Sequence, residues 1–192
     1  LRYENSDEEL ERREFVLFEG DESAEDTTPF VNSKVDDDAV IPKFAVEYSF
    51  SPNIATYASI TRGYKPPTQN YTTGDATLRD VRAEKSWNYE LGVKSSWLED
   101  RLSVNVAGFI NDVSDFQVAL TGDTGFFEDI ANAEALIKGL EIEAKAVPLP
   151  GLDLIAGFGY TDAKYTDYVN PFTGEDFEGN RLIYAPEFTY NL

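Results

Sequence analysis

The stretch "EKSWNYELGVKSSW", residues 84–97, decides the fold class. Every second residue from Trp87 gives Trp87, Tyr89, Leu91, Val93, Ser95 and Trp97; between them stand Ser86, Asn88, Glu90, Gly92, Lys94 and Ser96. Side chains of a β-strand point alternately to opposite sides, so the segment is a strand with one aromatic, apolar face and one polar face. About fourteen residues is long for a strand in a soluble domain, where roughly 5–6 is usual. The two tryptophans share a face and stand ten residues apart. At roughly 3.3 Å per residue that is about 33 Å of strand, which a tilt of about 40–45° reduces to about 24 Å of height. A membrane barrel shows an apolar band of about 25 Å between aromatic girdles, which assigns lipid to the aromatic face and water to the other, with Trp87 and Trp97 as girdle residues. The plainer alternative is a large soluble sheet with both tryptophans in its core. It would require a partner for each of Glu90, Lys94, Glu141, Glu143 and Lys145.

The pattern recurs along the chain. In "LSVNVAGFI" Leu102, Val104, Val106 and Ile110 alternate with Ser103, Asn105, Ala107 and Phe109. Leu140, Ile142, Ala144 and Ala146 alternate with Gly139, Glu141, Glu143 and Lys145, and Leu152, Leu154, Ala156, Phe158 and Tyr160 continue after "PLPG". Phe44, Val46, Tyr48 and Phe50 precede "SPN" and "IATYASITRGY"; Phe188, Tyr190 and Leu192 end the sequence. The connections sort into two kinds. "SPN", "LEDR" and "PLPG" are tight turns rich in Pro, Asn, Asp and Gly. The linkers over about residues 5–38, 65–83, 118–131 and 166–181 are long and polar. Short turns at one end of a sheet and long loops at the other are the habit of bacterial outer-membrane barrels.

Composition narrows the function classes. The 192 residues include no cysteine, histidine or methionine. That excludes a disulfide framework, thiolate chemistry and the commonest general base and zinc ligand, so neither an enzyme nor a cofactor is expected. The formal charge of −20 argues against nucleic acid, whose phosphates call for lysine and arginine. Neither an initiator methionine nor a leader opens the sequence, and both ends read as alternating strand; the expectation is a fragment. Residues 1–38 hold 14 acidic and four basic residues, half of the net charge. They read as a solvated acidic loop region, or as a loop that binds divalent cations or repels anions. "REFVLFEG", residues 13–20, is a candidate strand extension within it.

The residues resemble the TonB-dependent outer-membrane receptors. "FAVEYSFSPNIATYASITRGYKPP" looks like that family's strand, Pro-Asn turn and strand ending in Arg-Gly-Tyr-Lys. "EKSWNYELGVKSSWLEDRLSVNVAGF" looks like its Glu-x-x-x-Asn-Tyr-Glu-x-Gly hairpin, and "NAEALIKGLEIEAKAVPLPGLDLIAGFGYTDAKY" and "GNRLIYAPEFTYNL" match two further blocks in the same order. The likeness covers about residues 40–192 and departs from the pattern after Tyr64, where "PPTQNY" follows Arg-Gly-Tyr-Lys. It implies an all-β, antiparallel transmembrane β-barrel segment in the Gram-negative outer membrane, about eight strands of a 22-strand type barrel. Residues 1–38 form the acidic extracellular loop region and 39–192 the barrel hairpins; the plug domain is absent. The implied parent function is TonB-dependent uptake of a ferric siderophore or similar nutrient, with TonB contacted through the missing plug and outer-membrane lipid around the wall. Two other classes remain open: a self-contained small outer-membrane barrel with an adhesive or structural role, and a soluble sugar-binding β-domain.

Aromatic and amide residues on the presumed outer loops are candidates for stacking on a small ligand, since loops on a rigid scaffold often carry function. They are Tyr64, Asn70, Tyr71, Phe126, Phe127 and Tyr168, in part within "YTTGD" and "TGDTGFF". Packing of one loop on another is the plainer reading of the same aromatics. Glu141 and Glu143, two apart on one strand, read as lumen lining rather than as a hydrolytic pair.

Overall fold

A computed structural model describes residues 2–12, 31–70, 79–121, 127–171 and 173–192. Every paired strand in it is antiparallel. Strands β1 (Arg2–Arg12) and β2 (Val31–Ile41) form a hairpin, and Pro42 separates β2 from β3 (Lys43–Ser51). Then come β4 (Ile54–Lys65), the short pair β5 (Thr68–Asn70) and β6 (Arg79–Val81), and the long strands β7 (Glu84–Trp97), β8 (Leu102–Thr121), β9 (Phe127–Leu149) and β10 (Leu152–Asp167). Strand β11 (Phe188–Asn191) closes the sequence of elements. Seven strands make the main sheet, in the order β11-β10-β9-β8-β7-β4-β3. The turns at "SPN", "LEDR" and "PLPG" lie at one end of it, and the strand ends at Lys65, Glu84, Thr121, Phe127 and Asp167 at the other, as the sorting of the connections predicts.

The register keeps the two faces apart across all seven strands. Tyr89 lies between Ile60 and Ile110, and Ile60 opposite Phe44. Val93 pairs with Val106, Val106 with Ile142, and Ile142 with Phe158. On the other side, Glu90 lies between Ser59 and Phe109, Glu141 between Ala107 and Gly159, and Glu143 between Asn105 and Gly157. A one-residue slip would exchange the faces, so a register that joins apolar rows over seven strands is strongly specified. The apolar face is uncovered: Phe44, Val46, Tyr48, Phe50 and Leu91 are each at least 65% exposed. In a soluble domain such a face would be packed against a second layer; in a bilayer it is the lipid surface.

All four predicted linkers are in part strand: 65–83 carries the short pair β5 and β6, and β10 runs on to Asp167. Residues 118–121 and 127–131 extend β8 and β9, which reach 20 and 23 residues, and residues 5–12 and 31–38 pair within β1 and β2. The reason lies in which face is apolar. Near the turns the apolar side chains of β9 are Leu140, Ile142, Ala144 and Ala146; past Gly139 they are Ile137, Ala135, Ala133 and Ala131, on the opposite face. Strand β8 makes the same exchange, helped by a bulge between Val113 and Phe116 at which Asp115 adopts φ 57°. Past this point the sheet buries its own cluster, built from Val113, Val118, Leu120, Ala133, Ala135, Ala163, Tyr165, Tyr168 and Leu182. The sheet thus meets lipid with one face near the turns and makes a core with the other face beyond it.

Candidate functional site

The polar face is the only wall with chemistry at membrane depth among the described residues. Alternation brings Glu47, Tyr57, Glu90, Lys94, Asn105, Glu141 and Glu143 to it from five strands. Lys94 Nζ lies 2.9 Å from Glu47 Oε2 and 5.0 Å from the centre of the Tyr57 ring. Lys43, Glu47, Tyr57, Asn88, Glu90 and Lys94 line an open groove of about 480 Å³. Gly92 sits under the Tyr57 ring, where an added Cβ would overlap it, and a Cβ on Gly139 would overlap the Tyr160 carbonyl and the Phe109 ring. These glycines let large side chains lie flat along the wall. Charges left half exposed need no buried partner, so the wall suits water and polar solutes.

At the far end a second network fixes the connection between β4 and β7. Arg82 Nε bonds Asp115 Oδ1 at 2.5 Å, and Arg82 N donates to Asn132 Oδ1 at 2.9 Å. Asn132 Nδ2 donates to the carbonyls of Arg82 and Asp115. Gln117 N donates to Glu84 Oε2 at 3.0 Å, and its side-chain amide to the Pro66 carbonyl at 2.9 Å. Asp115 N, freed by the bulge, donates to Glu134 Oε1 at 3.3 Å. Sequence reasoning missed this network; its sequence signal is the continued alternation in "VSDFQVAL" and "IANAEALI", which carries β8 and β9 far enough to meet Arg82.

The candidate loop residues fall in different places. Tyr64 is on β4 opposite Lys85, on the face of Trp87. Asn70 ends β5 opposite Arg79, and Phe127 begins β9 opposite Thr121. Tyr71, Phe126 and "REFVLFEG" lie outside the described residues. Tyr168 is buried, 5% exposed, between Tyr165 at 5.0 Å and Phe177 at 5.4 Å between ring centres. Burial pushes both the Tyr165 and the Tyr168 phenol above the ordinary tyrosine range. Trp87 and Trp97 stand at the two ends of the apolar stripe of β7, and the Arg62 guanidinium lies 5.3 Å over the Trp87 ring.

Residues 1–192 match the family model described as "TonB dependent receptor-like, beta-barrel". The chain is 25% identical over 159 residues to the ferrichrome outer membrane transporter/phage receptor of Escherichia coli (strain K12), which covers 83% of this chain and 20% of that protein. It is 28% identical over 157 residues to the pesticin receptor of Yersinia enterocolitica, covering 81% of this chain and 22% of the relative. Among solved structures it resembles the ferric yersiniabactin uptake receptor FyuA from Yersinia pestis, with a TM-score of 0.67 at 24% identity over 84% of this chain and 23% of that one. It also resembles the ferric-catecholate import receptor Fiu from K12 E. coli, with a TM-score of 0.65 at 18% identity over 97% of this chain and 27% of that one. The chain spans about a fifth of the length of the curated relatives it matches. Proteins of this kind are receptors and transporters of the Gram-negative outer membrane, not enzymes. An antiparallel sheet with a lipid-facing side, a charged wall and this match over its whole length belongs to the family of TonB-dependent receptor β-barrels.

Proposed function

We propose that this chain forms part of the wall of a receptor that imports a ferric siderophore or a similar metal complex across the outer membrane, energised through TonB. The observation that carries this reading is the separation of faces that runs across seven strands between the tight turns and Gly139: an uncovered apolar side, and a polar side bearing Glu47, Glu90, Lys94, Glu141 and Glu143. The glycine-lined, half-wetted wall suits a wide barrel, whereas an eight-stranded barrel fills its interior with packed side chains. The ligand class is supported by relatives named for ferrichrome, ferric pyoverdine and ferric yersiniabactin. TonB acts on such a receptor through a plug held inside the wall. Tyr64, Asn70, Tyr71, Phe126 and Phe127 remain the positions proposed for ligand contact. Tyr168 would contribute by shaping the mouth from within its aromatic stack.

The test is uptake of radioactive iron by cells that lack other siderophore receptors and express the full-length protein carrying this sequence. Supplied with ferric hydroxamate, catecholate and mixed-ligand siderophores in turn, they should accumulate iron from at least one, and only when TonB is present. Uptake from none of them, or uptake unchanged without TonB, would overturn the proposal.

A further inference from the structure

Hairpin β5–β6 is three residue pairs long, from Thr68 with Val81 to Asn70 with Arg79, and among the described residues it shares no backbone ladder with the main sheet. A lone two-stranded hairpin is marginal at best in water, so its own bonds do not fix its place. Side-chain amides do. Gln117 on β8 and Asn132 on β9 lie directly opposite each other in the register. Asn132 Oδ1 accepts from Arg82 N at 2.9 Å, and Asn132 Nδ2 donates to the carbonyls of Arg82 at 3.1 Å and Asp115 at 2.8 Å. Gln117 Nε2 donates to the carbonyls of Arg82 at 3.2 Å and Pro66 at 2.9 Å. Pro66 precedes β5 and Arg82 directly follows β6, so one amide grips both legs of the hairpin.

Both backbone groups of Arg82 are therefore bonded by side chains where a strand neighbour would ordinarily stand. The bulge in β8 serves the same contact. It turns the Asp115 carbonyl to Asn132 and the Asp115 carboxylate to the Arg82 guanidinium, at the cost of a left-handed φ of 57° on a residue other than glycine. Val81 and Ala83, on either side of Arg82, are 2% and 6% exposed, which adds an apolar footing to the polar grip. Asn70 ends β5 opposite Arg79, three residues before Arg82 along the chain. A binding group held in place before its ligand arrives loses less freedom on binding, so whatever fixes this hairpin strengthens a contact made from it.

We propose that Gln117 and Asn132 are positioning residues for recognition of the imported complex: their paired amides touch no ligand, but fix hairpin β5–β6 and thereby set the receptor's affinity. The inference rests on the import reading and on Asn70 as a ligand contact.

The test uses the full-length protein carrying this sequence and the near-isosteric double variant Q117E/N132D, which keeps the shape of both side chains but turns carboxylate oxygens toward the carbonyls of Pro66, Arg82 and Asp115. Amide hydrogen exchange, read by mass spectrometry, should speed up roughly tenfold or more over residues 68–70 and 79–83, while the paired amides of β9 and β10 keep their wild-type rates. Iron uptake is then measured in cells with ferrichrome, ferric yersiniabactin and ferric pyoverdine as separate probes. For a probe that the wild type imports, KM should rise roughly fivefold or more in Q117E/N132D with the maximal rate nearly unchanged. A merely structural network would lower the maximal rate, through loss of folded receptor, and leave KM alone; that result overturns the proposal. Unchanged exchange at the hairpin overturns it as well. The two failures differ: an unaltered KM in a variant that still imports iron removes only the positioning role, whereas a wild type that imports none of the three probes sinks the import reading and the positioning role with it.

Discussion

Lys94 on β7 reaches across β4 to Glu47 on β3, at 2.9 Å, and passes over the ring of Tyr57 on the way. The contact spans two strand spacings, which only the long lysine side chain covers. Both partners are about half exposed, at 55% and 51%. A pair this wet contributes little to stability, about 0.2–1 kcal/mol. A double-mutant cycle with K94A and E47A, followed by urea unfolding in detergent, should therefore return a coupling below about 1 kcal/mol. A coupling several times larger would mean that the wall is dry and packed, not wet.

Ile142 and Glu143 are neighbours on β9 that face opposite solvents, so they compare the two sides at one depth. Lysine on a lipid face near the midplane costs about 2–4 kcal/mol, whereas in a wet interior it costs little. I142K should lower folding yield into lipid vesicles sharply, and E143K should fold close to wild type. Leu154 and Val104 should behave like Ile142, and Asn105 like Glu143. Equal effects at Ile142 and Glu143 would invert or abolish the assignment of faces.

The hairpins were legible because alternation, tight-turn residues and strand length all point the same way from Phe44 to Tyr160. What was not legible is the exchange of faces beyond Gly139. A rule that follows one apolar face reads residues 118–131 as a loop once the apolar residues change sides, although the two-residue period of Phe116, Val118 and Leu120 continues there. The polar wall was readable residue by residue. The pairing of Lys94 with Glu47 was not, since it depends on the register of three strands rather than on spacing in one. Tyr168 looked like any loop aromatic, because nothing local tells a ring that folds back onto Tyr165 from one that stands in solvent.

Tyr168 offers a test of that folded-back segment. Its hydroxyl is buried without a hydrogen-bond partner, so removing it costs little, and Y168F should be neutral or slightly stabilising. Y168A removes the whole ring from between Tyr165 and Phe177 and should cost about 3 kcal/mol or more. The pH dependence follows from burial. Because the folded state raises the phenol pKa, the contribution is intact below the ordinary tyrosine value of about 10 and is lost as pH rises through the higher folded value. Protease sensitivity of the 168–187 segment should increase in that alkaline window, and less so in Y168F. A flat profile for the wild type would show that the ring is not held in the stack.

The last expectation concerns the two open edges of the sheet. Among the described residues, β3 pairs only with β4 and β11 only with β10, so each leaves one row of backbone N–H and C=O groups unpaired at membrane depth. In hydrocarbon each such group costs several kcal/mol, and only a closed barrel removes the edges. Residues 1–192 expressed alone should therefore not yield an inserted, protease-resistant barrel, and should not support uptake of any ferric siderophore. Supplying further strands that pair with the outer edges of β3 and β11 should restore insertion before it restores transport, because closure is a condition on the backbone and transport needs the interior as well. The check is protease protection of the chain in vesicles, with and without the remaining barrel produced in the same cells. Protection and energy-dependent uptake by residues 1–192 alone would mean that the sheet closes on itself, contrary to the order β11-β10-β9-β8-β7-β4-β3.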